Sequence, residues 1–153
     1  MTPVPIQIKR LRPNALLPRY MTELAAGMDL HACLEEPLTI GVGQRLLIPT
    51  GLVMAIPPGF EGQVRPRSGL ALKKGLTLLN SPGTIDADYR GEVGVILINL
   101  GDGEVTILPD DRIAQLIIAP VHRALVTEAT SLDATGRNEG GFGHTGFGGS
   151  QPA

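Results

Sequence analysis

GQRLLIPTGLVMAIPPGFEGQVRPR, residues 43–67, decides the fold class. Its apolar runs at 46–48, 52–56 and 60–64 are strand-sized, and Pro49, Gly51, Pro57, Pro58 and Gly59 separate them. Proline withholds a backbone N–H and glycine supplies turn conformations, so punctuation this regular predicts an all-β sandwich or barrel. On the N-terminal side, Val4, Ile6 and Ile8 alternate with Pro5, Gln7 and Lys9. That period of two predicts an opening edge strand. On the C-terminal side, Ser68–Lys74 (SGLALKK) is the one helical turn, with Ser68 placed to cap it and Gly75 to end it.

Residues 80–91 (NSPGTIDADYRG) carry turn formers between two apolar runs and read as a hairpin with a projecting tip. Residues 93–100 and 104–108 read as a second hairpin around 101–103 (GDG), followed by a strand at 112–119. The stretch 93–100 (VGVILINL) is apolar on both faces. It needs cover on both sides, inside a sandwich or against another subunit.

With 153 residues, the chain is expected to form one domain, a β core over 1–133 and a flexible C-terminal lid over 134–153. Twenty Gly, 13 Pro and no Trp imply many turns and an aliphatic core. A formal charge of −2 offers no field for nucleic acid or an anionic membrane, so any anionic ligand must be held locally. No apolar run approaches the roughly 18 residues of a spanning helix. The lone Cys33 and the lack of a signal-peptide pattern point to a reducing, cytoplasmic setting.

Asp86 and Asp88 flank Ala87 at the expected hairpin tip, beside Tyr89 and Arg90. Paired carboxylates there suit a metal or a general base, and aspartates equally suit a turn for its own sake. Residues 65–69 (RPRSG) set two cations and a hydroxyl at a helix start, a phosphate seat or a solvated basic turn. The tail at 136–149 (GRNEGGFGHTGFGG) can wrap backbone N–H groups, Arg137, His144 and Thr145 around a phosphate, with Phe142 free to stack on a base. A glycine-rich terminus is also the composition of a linker, and the strict P-loop signature is missing.

Asp29 either faces a metal or is a hydrogen-bonded turn residue. Arg112 and Gln115 face opposite ways in an extended strand unless a bulge intervenes. His31 and His122 read as surface or core polar residues, and Cys33 as a buried structural thiol.

Taken in order, AAGMDLHA (25–32), RPRSGLAL (65–72), GTIDADYRGEVG (83–94), DRIAQL (111–116) and RNEGGFGHTG (137–146) resemble the five motifs of the trimeric dUTPase family. Five such matches in sequence are far more specific than any one of them. The resemblance implies an all-β jelly-roll-like fold with one short helix and a glycine-rich C-terminal arm. It also implies a homotrimer with active sites shared between subunits. The activity implied is hydrolysis of dUTP to dUMP and pyrophosphate with Mg²⁺, which controls dUTP and supplies dUMP for dTMP synthesis.

In the family's terms, Asn80, Gly83, Thr84, Ile85 and Gly94 receive uracil, and Tyr89 packs on the deoxyribose. Asp86 activates water for in-line attack on the α-phosphorus. Arg67, Ser68, Gly69 and Gln115 bind phosphates, with Ser68 near the α–β bridging oxygen. Mg²⁺ rides on the triphosphate with no direct protein ligand, and Asp29 and Gln115 reach it through water. Phe142 stacks on uracil while Arg137, Gly143, His144 and Thr145 close on the γ-phosphate. Two positions depart from the usual pattern: Met28 stands where an aromatic is common, a packing change, and His144 where Ser is common. A dCTP deaminase of the same fold would betray itself by releasing ammonia, and a pure binding module by releasing no pyrophosphate.

Overall fold

The computed structural model describes residues 3–142, and the chain divides into two compact units, 1–122 and 123–153. The first unit runs β1 (Gln7–Arg10), β2 (Arg19–Tyr20), β3 (Met28–His31), β4 (Leu38–Ile40), β5 (Arg45–Ala55), β6 (Phe60–Arg65), α1 (Ser68–Lys74), β7 (Leu76–Leu78), β8 (Gly83–Ile85), β9 (Glu92–Asn99), β10 (Val105–Ile107) and β11 (Arg112–Pro120). They form a four-stranded sheet in the order β1-β5-β9-β7, a five-stranded sheet β2-β3-β11-β6-β8, and a β10-β4 ribbon. This is the all-β, jelly-roll-like class expected, with one short helix. The core is aliphatic, as the composition implied. Leu30, Ile48 and Leu52 pack with Leu97, Ile113 and Leu116 in one cluster that draws on both large sheets, all at most 1% exposed.

Four local expectations need correction. The opening strand does lie at a sheet edge, but it starts at Gln7 rather than Val4, because Pro5 has no N–H to give to a ladder. Runs 46–48 and 52–56 are not two strands but the single β5. From Pro49 to Val53 this strand takes four steps while β9 takes two, from Gly94 to Glu92, so the Pro–Thr–Gly break is a bulge inside a continuous strand. Gly51 serves it with φ +69, and a Cβ there would lie 2.7 Å from Ala15 Cβ and 2.8 Å from Cys33 Sγ.

The run at 104–108 does not form a hairpin with 93–100. β9 already has β5 and β7 on its two edges, so β10 pairs with β4 instead. The buried Asn99 organises the intervening turn, donating to Ile40 O (2.9 Å) and Gly103 O (2.8 Å) and accepting from Gly101 N–H (2.9 Å). The segment 80–91 is likewise more than a hairpin tip. Its flanks pair as β7 and β9, while β8 between them crosses to pair with β6 in the other sheet.

The strands end at Pro120 and the first unit at 122, ahead of the expected core limit at 133. Residues 123–142 of the second unit contain no helix or strand. Thr135 and Asn138 close a turn there, each accepting the other's backbone N–H through its side chain. Cys33 is buried as expected, its thiol directed at Asn14 Oδ1.

Leu116 is fully buried at the centre of the five-stranded sheet. Leu116→Ala is expected to lower unfolding free energy by about 2–5 kcal/mol in denaturant titration. A loss under about 0.5 kcal/mol would mean this core is not close-packed.

Candidate active site

The crossing of β8 opens a space between the two sheets. Gly83, Thr84 and Ile85 pair with Val64, Gln63 and Gly62, then the chain turns back into β9. A cavity of about 130 Å³ results, with Val64, Leu78, Val93, Val95 and Ile96 as apolar wall and Asn80, Gly83, Thr84, Ile85, Tyr89, Glu92 and Gly94 around the rest. A cavity of roughly 150 Å³ takes up benzene. This one, open to solvent on one side, is therefore on the scale of a single six-membered ring. It brings together all six residues expected to receive base and sugar: Asn80, Gly83, Thr84, Ile85, Tyr89 and Gly94.

At the mouth the backbone turns through Asp86–Tyr89, closed by Tyr89 N–H to Asp86 O (3.1 Å) and by Arg90 donating to Ala87 O (2.7 Å). Asp86 directly follows the last cavity residue of β8 and is exposed, and Asp88 is exposed beyond it. Tyr89 lies over Gly91, where a Cβ would come within 2.3 Å of its hydroxyl. That hydroxyl donates to Glu92 O at 3.0 Å.

A second group lies at the end of the five-stranded sheet. Arg19, Asp29, Gln115 and Arg65 stand in register across β2, β3, β11 and β6. Asp29 is buried in a strand rather than a turn, and both its oxygens meet arginine: Oδ1 to Arg67 Nε at 3.5 Å, Oδ2 to Arg112 Nη1 at 3.0 Å. Arg67 also donates to Arg112 O (2.9 Å), and Gln115 to Pro66 O (3.1 Å). The bulge on which the facing of Arg112 and Gln115 depends is present, as the β11–β3 register shifts between Arg112 and Ala114. Ser68 and Gly69 are exposed on the first turn of α1, where a Cβ on Gly69 would meet nothing within 4 Å. Ser68 is not the cap. Arg67 occupies that position with no side-chain cap hydrogen bond, while Gly75 ends the helix at φ +62 as expected.

In the second unit Arg137 is exposed and donates through Nε to Gly140 O at 2.7 Å, and Phe142 is fully exposed. Gly143, His144 and Thr145 lie outside the described residues. Sequence reasoning missed Arg12 and Glu92. Arg12 Nη1 and Nη2 grip the Glu92 carboxylate at 2.6 and 3.2 Å, across 80 residues of chain. Glu92 sits within a recognised motif, but nothing near Arg12 marks its partner.

His31, beside this group on β3, is buried with Nδ1 lacking a hydrogen-bond partner. Burial holds its pKa below the ordinary value; Asp29 and Asp110 oppose this shift, and Arg19 and Arg112 reinforce it.

A scan against protein families matches the dUTPase family over residues 14–146. The chain is similar to the deoxyuridine 5'-triphosphate nucleotidohydrolase of Syntrophotalea carbinolica, 60% identical over 96% of this chain and all of that protein. It is similar also to the protein of the same name in Desulfotalea psychrophila, 65% identical over 85% of this chain and 87% of the relative. Among solved structures, the Staphylococcus bacteriophage 80alpha dUTPase with dUPNHPP superposes with a TM-score of 0.85 at 26% identity, covering 94% and 99% of the two chains.

Two predictions follow from the charges. Asp29→Asn leaves two cations without a counter-charge and is expected to cost roughly 1–3 kcal/mol in denaturant titration, tempered by the partial exposure of both arginines. An unchanged midpoint would remove Asp29 as their anchor. Because the folded state disfavours His31 protonation, the unfolded chain binds the proton first, near pH ~6.5. The stabilisation, full above that pH, is lost as pH falls through it towards the lower folded value. The thermal midpoint of His31→Gln should fall less over this interval than that of the native chain, and parallel curves would rule His31 out as the cause.

Proposed function

The chain belongs to the dUTPase family, its activity is hydrolysis of dUTP, and on that footing we propose how its residues divide the work. The observation that carries the reading is the ring-sized cavity walled by β8, with Tyr89 at its mouth and exposed Asp86 one residue beyond. Uracil enters this cavity and pairs with the main chain of Gly83, Thr84 and Ile85 and with Asn80. A pocket on the scale of one ring favours a pyrimidine over a purine, and selectivity against the methyl group of thymine comes from clash rather than from added attraction. Tyr89 packs on the deoxyribose and meets a ribose 2′-hydroxyl with a clash. Gly94 lines the cavity with its backbone, and a Cβ on it would meet Leu47 Cδ1 at 2.6 Å.

Asp86 accepts a proton from water as the water oxygen attacks the α-phosphorus in line. The bond from that phosphorus to the bridging oxygen breaks, and pyrophosphate leaves with the electron pair. Ser68 donates near the bridging oxygen, where charge accumulates. Arg67, Gly69 and Gln115 hold the phosphates. The open space around Gly69 supports close approach of a phosphate to its backbone. Arg137 and Phe142, with Gly143, His144 and Thr145, serve the nucleotide of a neighbouring subunit once a full triphosphate is bound.

The cation of this reading is carried by the triphosphate itself. Bound there, Mg²⁺ would supply neutralisation of phosphate charge, and Gln115 would reach it through water. Asp29, with both oxygens on arginine, acts by orienting Arg67 and Arg112 instead.

The working enzyme is a homotrimer with shared sites, in a reducing, cytoplasmic setting. Two observations support the trimer. The base-sized cavity is lined by none of Asp29, Arg67, Ser68 or Gln115, so one chain does not join the two halves in a single pocket. The outer face of β9 also leaves Gly94, Ile96 and Ile98 only half-buried beside Leu47, which is 65% exposed.

Pyrophosphate release from dUTP, UTP, dTTP and dCTP in Mg²⁺, with ammonia followed in parallel, tests the reading. Hydrolysis should be confined to dUTP, and ammonia from dCTP would overturn it. In the same assay Asp86→Asn should still bind dUTP while kcat falls by about 10²–10⁴, and full activity would remove Asp86 from the mechanism.

A further inference from the structure

Tyr89 is held by an unusual route. Its ring rests on the bare backbone of Gly91, and its hydroxyl donates to the main-chain oxygen of Glu92, so its position follows that of Glu92. Glu92 begins β9 and lines the cavity. Its half-buried side chain accepts three hydrogen bonds, from Arg12 Nη1 (2.6 Å), Arg12 Nη2 (3.2 Å) and Gly51 N–H (2.8 Å). A two-pronged guanidinium–carboxylate contact fixes orientation as well as distance, which a single point charge does not. The Arg12 hydrogen bonds also hold the Glu92 carboxyl below its ordinary pKa, so the anion persists where the enzyme works.

The other end of this linkage is equally fixed. Leu11 N–H donates to Gly51 O (2.8 Å), which ties the segment carrying Arg12 to the bulge in β5. Thr50 in that bulge donates to Val93 O (2.5 Å), next to Glu92. Arg12 itself lies outside the five sequence motifs and does not line the cavity.

We propose that Arg12 is a specificity-determining positioning residue: through its grip on Glu92 it sets where Tyr89 stands at the cavity mouth, and so how strictly the enzyme rejects a ribose 2′-hydroxyl. The inference rests on the reading of Tyr89 as the sugar-facing residue. Rejection by clash requires a wall that does not yield, because a side chain able to move aside admits the larger sugar at small cost. Without Arg12, the Glu92 carboxylate keeps only the Gly51 N–H, while the strand remains paired to β5, through Val53 at Glu92, and to β7. The wall loosens but the fold stands.

The experiment compares kcat and KM for dUTP and UTP in the full-length native chain and in Arg12→Ala, Arg12→Lys, Glu92→Gln, the Arg12→Ala/Glu92→Gln double variant and Tyr89→Ala. In Arg12→Ala the preference for dUTP over UTP should fall on the order of tenfold, chiefly through a lower KM for UTP. Arg12→Lys should recover part of it, having the charge without the fork. The double variant should lose less than the two single losses combined, as expected of residues acting in one chain. An unchanged preference in Arg12→Ala, beside a lowered one in Tyr89→Ala, would overturn the proposal and leave the reading of Tyr89 intact. An unchanged preference in Tyr89→Ala would bring both down. If Arg12→Ala fails to fold, Arg12→Lys carries the same comparison, since its fork is lost while its charge is kept.

Discussion

β9 is hydrogen-bonded on both edges, to β5 and to β7, while its inner face carries Val93, Val95, Leu97 and the buried Asn99. A strand held in this way cannot shift by one residue without exchanging its buried and outward sets. Much of the first unit takes its geometry from that constraint. The GDG turn is organised by Asn99, β10 must seek β4 as its partner, and the segment between β7 and β9 is long enough only because it leaves the sheet. When it leaves, it pairs with β6, and the space so enclosed is the cavity on which function depends.

The opposite sheet contributes charge as well as a wall of the cavity. Asp29 sits in the middle strands, where a buried carboxylate without partners would be strongly disfavoured, and two arginines from other elements meet it. Arg67 is thereby aimed from the start of α1, and Arg112 is turned to the same side as Gln115 by the bulge in β11. A residue first considered for a metal has arginine on both oxygens. That is the better use of a carboxylate close to where a triphosphate is proposed to lie, since direct approach of a phosphate to an unpaired aspartate would be repulsive.

A cavity for a ring and a cluster for phosphates thus both draw on the five-stranded sheet, yet none of Asp29, Arg67, Ser68 or Gln115 lines the cavity. The proposed trimer is one way to join them, and the half-buried outer face of β9 is the kind of surface such an assembly covers. Precision at the mouth of the cavity is supplied from further away still. Glu92 and Gly51 connect it to the N-terminal segment, which places a residue of no recognised motif in a position to influence selectivity.

Sequence by itself determined the β class, the single helical turn with its glycine stop, the aliphatic core and the residues that belong to the ring-sized cavity. These rest on period, punctuation and motif, which are properties of neighbours in the chain. It misassigned two hairpins, divided β5 at Pro49–Gly51 and made Ser68 a cap, because the partner of a strand edge is decided by which other edges are already taken, and the alternation pattern does not record that. Only the tertiary structure decided that Asp29 serves two arginines, that a bulge brings Arg112 and Gln115 to one side, and that Arg12 and Glu92 meet across 80 residues. Each is a meeting of charges from separate elements. Its energy depends on distance and burial after folding, and no local pattern of residues carries that information.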